Sequence, residues 1–170
     1  MKTNRLPYLS IATIIAIIIP FVLAGCAGEE LIVLRATHDG VVYTYDQDSM
    51  QGTVAGYSVS DGNIYTQINI PAEIDEYGKI YKITTIADRA FVNCQCTSVT
   101  IGTNMATIGS RAFHQCEHLD TIRLTGKTAP AINEDTFDAS TYEKGILYVP
   151  EGCGLNKTPW NKFKNISTGK

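Results

Sequence analysis

The sequence predicts an α+β solenoid, in which short parallel strands stack coil upon coil and short helical turns join them. Three observations between Ile68 and Val149 carry that prediction. An Ile stands five residues before a Phe three times, in Ile86-Ala-Asp-Arg-Ala-Phe91, Ile108-Gly-Ser-Arg-Ala-Phe113 and Ile132-Asn-Glu-Asp-Thr-Phe137. A minimal strand follows each Phe by eight to ten residues: Val99-Thr-Ile101, Ile122-Arg-Leu124 and Leu147-Tyr-Val149. A further copy of that strand, Ile68-Asn-Ile70, precedes the first Ile-to-Phe unit, so the pattern recurs with a period in the low twenties.

Taken in order, the chain opens with Lys2 and Arg5, an apolar run from Leu9 to Val22, and the small-residue exit Leu23-Ala-Gly-Cys26. Basic, apolar and small-residue regions in that order make a secretory signal, and the apolar run is short for a membrane span. Cys after Leu-Ala-Gly resembles the bacterial lipobox, which implies cleavage before Cys26 and acylation of its thiol. Cleavage there removes two basic and no acidic residues and leaves 12 basic against 17 acidic, a net charge of −5. Phosphate binding needs a clustered basic surface, so nucleic acid is not an expected partner. Glu29 and Glu30 resemble the acidic export signal that sends lipoproteins to the outer face of the outer membrane, so cell-surface display with a lipid anchor is expected. Residues 26–39 read as a lipidated tether, with Leu31-Ile-Val-Leu34 as a short segment able to pair at the domain edge.

From Gly40 to Ile70 the composition is that of strands. Val41-Val-Tyr-Thr-Tyr45 and the stretch from Thr53 to Ser60 are β-branched and aromatic, with polar turn residues from Asp46 to Gly52 between them. Asp61-Gly62 suggests a hairpin joining Tyr57-Ser-Val59 to the stretch from Ile64 to Ile70, because tight hairpin turns need positive φ. Residues 40–81 therefore read as an N-terminal β cap over an otherwise open solenoid end. Residues 71–82 read as the connector into the first repeat, residues 82–149 as the repeats and residues 150–170 as a C-terminal cap. In that last cap Pro159, Trp160, Phe163 and Ile166 look like a short amphipathic segment, with Trp160 as a core aromatic.

Within the repeats, side chains alternate along each strand, so the flanking Ile, Val and Leu face one way and the middle residue the other. Stacked copies then bury the apolar pair and present Asn69, Thr100, Arg123 and Tyr148, with Gln67, Ser98 and Thr121 beside them, as a ladder of exposed residues. Asp88 and Ser110, two residues after their Ile, are placed to cap the short helical turns. Cys94 and Cys116 fall three residues after their Phe, where a thiol packs as a small hydrophobe. The first copy is one residue shorter than the second, which puts Cys96 in the buried place held by Leu119.

Arg-Ala-Phe113-His-Gln-Cys116-Glu-His-Leu119-Asp-Thr-Ile122-Arg-Leu124 resembles the repeat of BspA-type leucine-rich repeat proteins, common as surface lipoproteins of Bacteroidota. Tyr77-Gly-Lys-Ile-Tyr-Lys-Ile83-Thr-Thr-Ile86 resembles that family's entry into its first repeat, and Leu147-Tyr-Val-Pro150 with Trp160-Asn-Lys-Phe163-Lys-Asn-Ile166 resembles its closing cap. The resemblance spans roughly Gly40 to Ile166. It implies a right-handed leucine-rich-repeat coil and a function in adhesion or protein binding, toward a host or neighbouring-cell protein, with a glycan-contacting accessory lipoprotein of an outer-membrane uptake system as the alternative. Asp48-Ser49-Met50 also resembles the O-glycosylation acceptor of Bacteroidota.

Enzymatic chemistry is not expected. Cys94, Cys96, Cys116, His114 and His118 offer enough ligands for zinc, yet their spacing is explained by equivalent core positions of the repeat, and no metal or cofactor is assigned. The pair Cys94 and Cys116 is expected to stay as stacked, reduced thiols, because parallel Cβ vectors on adjacent coils strain a bridge. No Gly-x-Ser-x-Gly or phosphate-cradling glycine loop is present, and Asp46-Gln-Asp48 lacks the later bidentate Glu of a calcium loop. Surface recognition by the strand ladder remains, with Asn69, Thr100, Arg123 and Tyr148 as its candidate binding residues.

Overall fold

A computed structural model describes residues 34–58, 64–155 and 159–169. The secretory signal, Cys26, Glu29, Glu30 and the Asp61-Gly62 pair lie outside the described residues. Two sheets carry the fold, and no helix among the described residues is long and apolar enough to cross a membrane.

The first sheet has six strands: β1 (Leu34–His38), β2 (Val41–Asp46), β3 (Gln51–Tyr57), β5 (Glu73–Glu76) and β6 (Lys79–Ile86) in the order β1-β2-β3-β6-β5, and the short β8 (Thr107–Ile108), which also pairs with β6. The second half of the expected tether is thus an edge strand. A two-residue turn at Asp39-Gly40, with φ of 48° and 77°, joins β1 to β2. Residues 71–82, expected as a plain connector, contain a second such hairpin, β5 to β6, through Tyr77-Gly78 at φ 55° and 76°. Both turns need two left-handed residues, which is why a Gly follows the Asp and the Tyr. β1 and β5 lie at opposite ends of the strand order, yet His38 Nε2 meets the buried Glu76 carboxylate at 2.5 Å, and Tyr45 Oη donates to the same oxygen at 3.3 Å. The sheet therefore curls, with the buried Tyr45 ring packed against both Tyr43 and Tyr81.

The second sheet is β4 (Gln67–Ile70), β7 (Ser98–Ile101), β9 (Thr121–Leu124), β10 (Ile146–Pro150) and β11 (Asn165–Gly169), in the order β11-β10-β9-β7-β4. Every pairing in it is parallel. β3 and β4 are not partners: β4 pairs with β7 and belongs to this second sheet, while the Asp61-Gly62 turn expected between them lies outside the described residues. Ile68, Ile70, Val99, Ile101, Ile122, Leu124, Leu147 and Val149 all point inward and are buried. Each fully buried side chain of this kind contributes roughly 1.5–3 kcal/mol.

The stacking of the Ile-to-Phe units continues from the end of β6 in the first sheet. Ile86 pairs in register with Ile108 of the two-residue strand β8 (Thr107–Ile108), and the Ile108 N–H bonds the Ala131 carbonyl at 2.9 Å. Phe91 and Phe113 stack at 5.0 Å with planes 1° apart, and Phe113 and Phe137 at 5.1 Å and 5°. Tyr57 extends the row at one end, and Tyr142, Trp160 and Phe163 close it at the other. Trp160 is 1% exposed and its indole N–H donates to the Pro130 carbonyl at 2.7 Å, the core role expected of it. Gly109 has no room for a side chain, since a Cβ there would lie 2.5 Å from the Asp88 backbone nitrogen of the preceding coil.

The helical turns expected in the first two units are replaced by irregular turns. Arg89 and Asn93, and their equivalents Arg111 and Gln115, take left-handed φ of 54–60°. The reason lies in the hydrogen bonds. N–H groups of Arg89, Phe91 and Asn93 bond the carbonyls of Ser110, Ala112 and His114, so they serve the next coil rather than their own turn. Asp88 and Ser110 do not cap locally either: Asp88 accepts the Ser110 N–H at 2.8 Å, and Ser110 Oγ donates to Asp135 at 2.8 Å. Only in the third unit does a helix form, α1 (Ala139–Lys144), and its C-terminal carbonyls are met by the Gly145 and Lys164 N–H groups.

Candidate functional site

The outward face of the second sheet holds two rungs of side chains in register. One contains Gln67, Ser98, Thr121, Ile146 and Asn165; the other contains Asn69, Thr100, Arg123, Tyr148 and Ser167. The four candidate residues Asn69, Thr100, Arg123 and Tyr148 therefore share one rung, each contributed by a different coil. Strand alternation puts them outward because Ile68 and Ile70, Val99 and Ile101, Ile122 and Leu124, and Leu147 and Val149 turn inward. Asn69 and Arg123 are exposed and Thr100 and Tyr148 half-buried.

Asn165 and Ser167 are ladder members that the sequence reading missed. β11 has Thr168 where the other strands carry Ile, Leu or Val, so the apolar pair that marks a strand is broken. Ile166, expected in an amphipathic segment, instead lies in β11 beside Leu147 and remains 43% exposed at the sheet edge.

Within the second rung, the Arg123 guanidinium lies 4.4 Å from the centroid of the Tyr148 ring. That contact is a cation–π attraction, which restricts the long Arg side chain. Beyond it, where β9 and β10 end, a groove of about 630 Å³ opens between Arg123, Thr125, Lys127, Tyr148, Glu151 and Gly152. Its Thr125 hydroxyl donates to the Ile101 carbonyl at 2.9 Å, which fixes the strand exit.

Among the described residues no three or more His, Cys, Asp or Glu lie together in a group able to hold an ion. His114 Nδ1 instead meets Asp138 at 2.6 Å, and His118 is exposed. Cys94, Cys96 and Cys116 are buried free thiols, and Cys153 is a half-buried one. Cys116 Sγ donates to the Phe91 carbonyl at 3.0 Å, and Cys94 Sγ accepts the Cys96 N–H at 3.3 Å. Cys96 takes the inward place equivalent to Leu119, as its spacing predicts. Hydrogen bonding to Cys116 and Cys94, together with burial, pushes its thiol far above the ordinary range, so it resists becoming a thiolate. Asp46, in the stretch with calcium-loop character, has its carboxylate occupied by its own turn, accepting from the Asp48 and Ser49 N–H groups and from Ser49 Oγ.

A sequence model described as BspA type Leucine rich repeat region matches residues 65–167 in six copies, more than the three Ile-to-Phe units evident by eye. Two solved structures are similar. A leucine-rich repeat protein from Bacteroides capillosus ATCC 29799 is 21% identical with a TM-score of 0.60, covering 80% of this chain and 99% of that one. A leucine rich cell surface protein from Faecalibacterium prausnitzii A2-165 is 20% identical with a TM-score of 0.51, covering 80% of this chain and 43% of that one. At these identities the likeness is one of fold. Among functionally curated proteins, no sequence matches.

Proposed function

The chain belongs to the BspA-type leucine-rich repeat family, and from that premise we propose that it is a lipid-anchored, cell-surface module that binds a protein partner through its strand ladder. Repeats of this family are generally non-enzymatic scaffolds for protein–protein interaction. The observation that carries the proposal is the five-stranded parallel sheet, which holds hydrogen-bonding side chains from five successive strands at fixed spacing. Such a face offers a partner ordered contacts without the entropy cost of assembling them. The partner class is a host or neighbouring-cell protein, and the activity is adhesion. A glycan-contacting role has less support, because Tyr148 is the ladder's aromatic residue and one face of its ring is already taken by Arg123.

The anchoring half of the proposal rests on the order of Lys2 and Arg5, the apolar run and Leu-Ala-Gly-Cys26, with residues 1–25 as the signal and Cys26 as the acylated residue. Two or more acyl chains hold a protein on a membrane, each buried methylene adding about 0.8 kcal/mol. In the same reading the first sheet closes one end of a solenoid, shielding the edge of the repeats, and the segment after Pro150 closes the other.

Surface display is tested by adding protease to intact cells that express the full chain, beside a Cys26→Ala variant. Degradation of the wild type, with release of the variant from the membrane fraction, is the expected result. Complete protection of the wild type until cells are lysed would replace adhesion with an inward-facing role.

A further inference from the structure

We infer that the groove where β9 and β10 end is a carboxylate-recognition site, and that the ladder's partner docks there through an acidic peptide segment. The inference deepens the protein-binding reading above and rests on it. Its first support is charge. Of the ten residues on the two rungs, Arg123 alone is charged. Lys127 lines the same groove, so two cations face its interior beside the single carboxylate of Glu151.

A second support is that these cations are unpaired. Among the described residues Arg123 and Lys127 have no carboxylate within ion-pair distance, a state they share with Arg35, Lys79, Lys82, Arg89 and Lys144, so both are free to meet a partner's carboxylate. The third support is geometry. The Arg123 guanidinium is held over the Tyr148 ring, 4.4 Å from its centroid, in the lining of the groove, and a guanidinium can donate two parallel hydrogen bonds to one carboxylate.

Part of the groove lining carries no side chain. Gly152 and Gly169 line the groove, and a Cβ built on either meets no atom within 4 Å. A peptide backbone can therefore approach closely while a Glu or Asp side chain enters toward Arg123. Peptide is favoured over an acidic sugar because a sugar ring needs an open aromatic face, and one face of Tyr148 is covered.

Fluorescence anisotropy with the purified chain tests this, using a labelled hexaglutamate peptide, its hexaglutamine counterpart and a labelled oligogalacturonate as probes. Hexaglutamate is expected to bind, to weaken as salt rises, and to lose affinity by about fivefold in Arg123→Gln, the size expected for a solvent-exposed ion pair. Arg123→Lys keeps the charge but not the fork, and is expected to recover only part of that loss. Lys144→Gln, on α1 outside the groove, is expected to leave binding unchanged. Equal binding of hexaglutamate and hexaglutamine, an Arg123→Gln variant as good as wild type, preference for oligogalacturonate, or no binding of hexaglutamate would each overturn the inference. Loss of protein-partner capture in a Thr100→Arg variant, together with an unaffected Arg123→Gln, would retain the ladder as a docking face and reject the carboxylate site alone.

Discussion

Phe113 is the residue on which most of the stack converges. It is fully buried and sandwiched between Phe91 and Phe137, while its own backbone N–H bonds the Thr136 carbonyl. Phe113→Ala removes two aromatic contacts and leaves a cavity between coils that the tethered backbones cannot close. A loss of roughly 3–5 kcal/mol is expected, read as a lowered denaturation midpoint. Gly109→Ala tests inter-coil spacing at the same scale. Its Cβ would lie against the Asp88 and Ala87 backbone, which cannot swing aside, so a loss of about 1–3 kcal/mol is expected from chemical denaturation. The Ile-to-Phe spacing makes Phe113 legible in the sequence as core. The tightness at Gly109 is not, because Gly also stands in turns and nothing in the spacing says how near the adjacent coil comes. Tyr148 was legible as an outward rung residue, but its contact with Arg123, which comes with half-burial, depends on β9 and β10 being neighbours in register.

At the scale of elements, coils are joined by polar contacts as well as by packing. Ser110 Oγ, with Arg111 beside it, holds Asp135 below the usual carboxylate range, the Lys164 ammonium does so for Glu143, and Ser49 does so for Asp46. A carboxylate whose folded pKa is depressed adds stability above its unfolded pKa, about 4, and loses it as pH falls through the folded value. The thermal midpoint should therefore be flat from about pH 7 to 5 and fall below about pH 4, with a shallower fall in Asp135→Asn. A midpoint that rises on acidification would contradict these assignments. The strands β4, β7, β9 and β10 were legible because two inward apolar residues flank one outward residue in each. β11 was not, since Thr168 breaks that pattern, and its place depends on pairing along β10. The turns at Arg89 and Arg111 were mistaken for helical turns for a related reason. Their sequences suit a helix, but their N–H groups are drawn to the next coil, a contact no local pattern encodes. Asp39-Gly40 forms a tight hairpin that was not assigned in the sequence, because the segment before it read as a tether rather than as a hairpin arm.

For the whole molecule, the two sheets divide the tasks of the chain. The curled first sheet is tied across its edges by His38, Tyr45 and Glu76, while the parallel second sheet presents its rungs to solvent. The terminal aromatic group of Tyr142, Trp160 and Phe163 makes the last coil part of the same core. Trp160→Phe keeps most of that packing but orphans the buried Pro130 carbonyl, so a loss of about 1–3 kcal/mol is expected from thermal denaturation. The repeat class and the ladder could be read from periodicity, whereas the groove beyond Arg123 needed the relative placement of strand ends that are distant in sequence. The central claim is that the ladder face is where a partner docks. It is tested most directly by comparing capture of surface proteins, from host cells and neighbouring bacteria, by wild type, by Thr100→Arg on the rung, and by Val92→Arg on the exposed turn face, with equal melting temperatures verified first. Loss of a captured protein in Thr100→Arg and its retention in Val92→Arg is the predicted result; retention by Thr100→Arg with loss in Val92→Arg would place binding on the turn face and contradict the account.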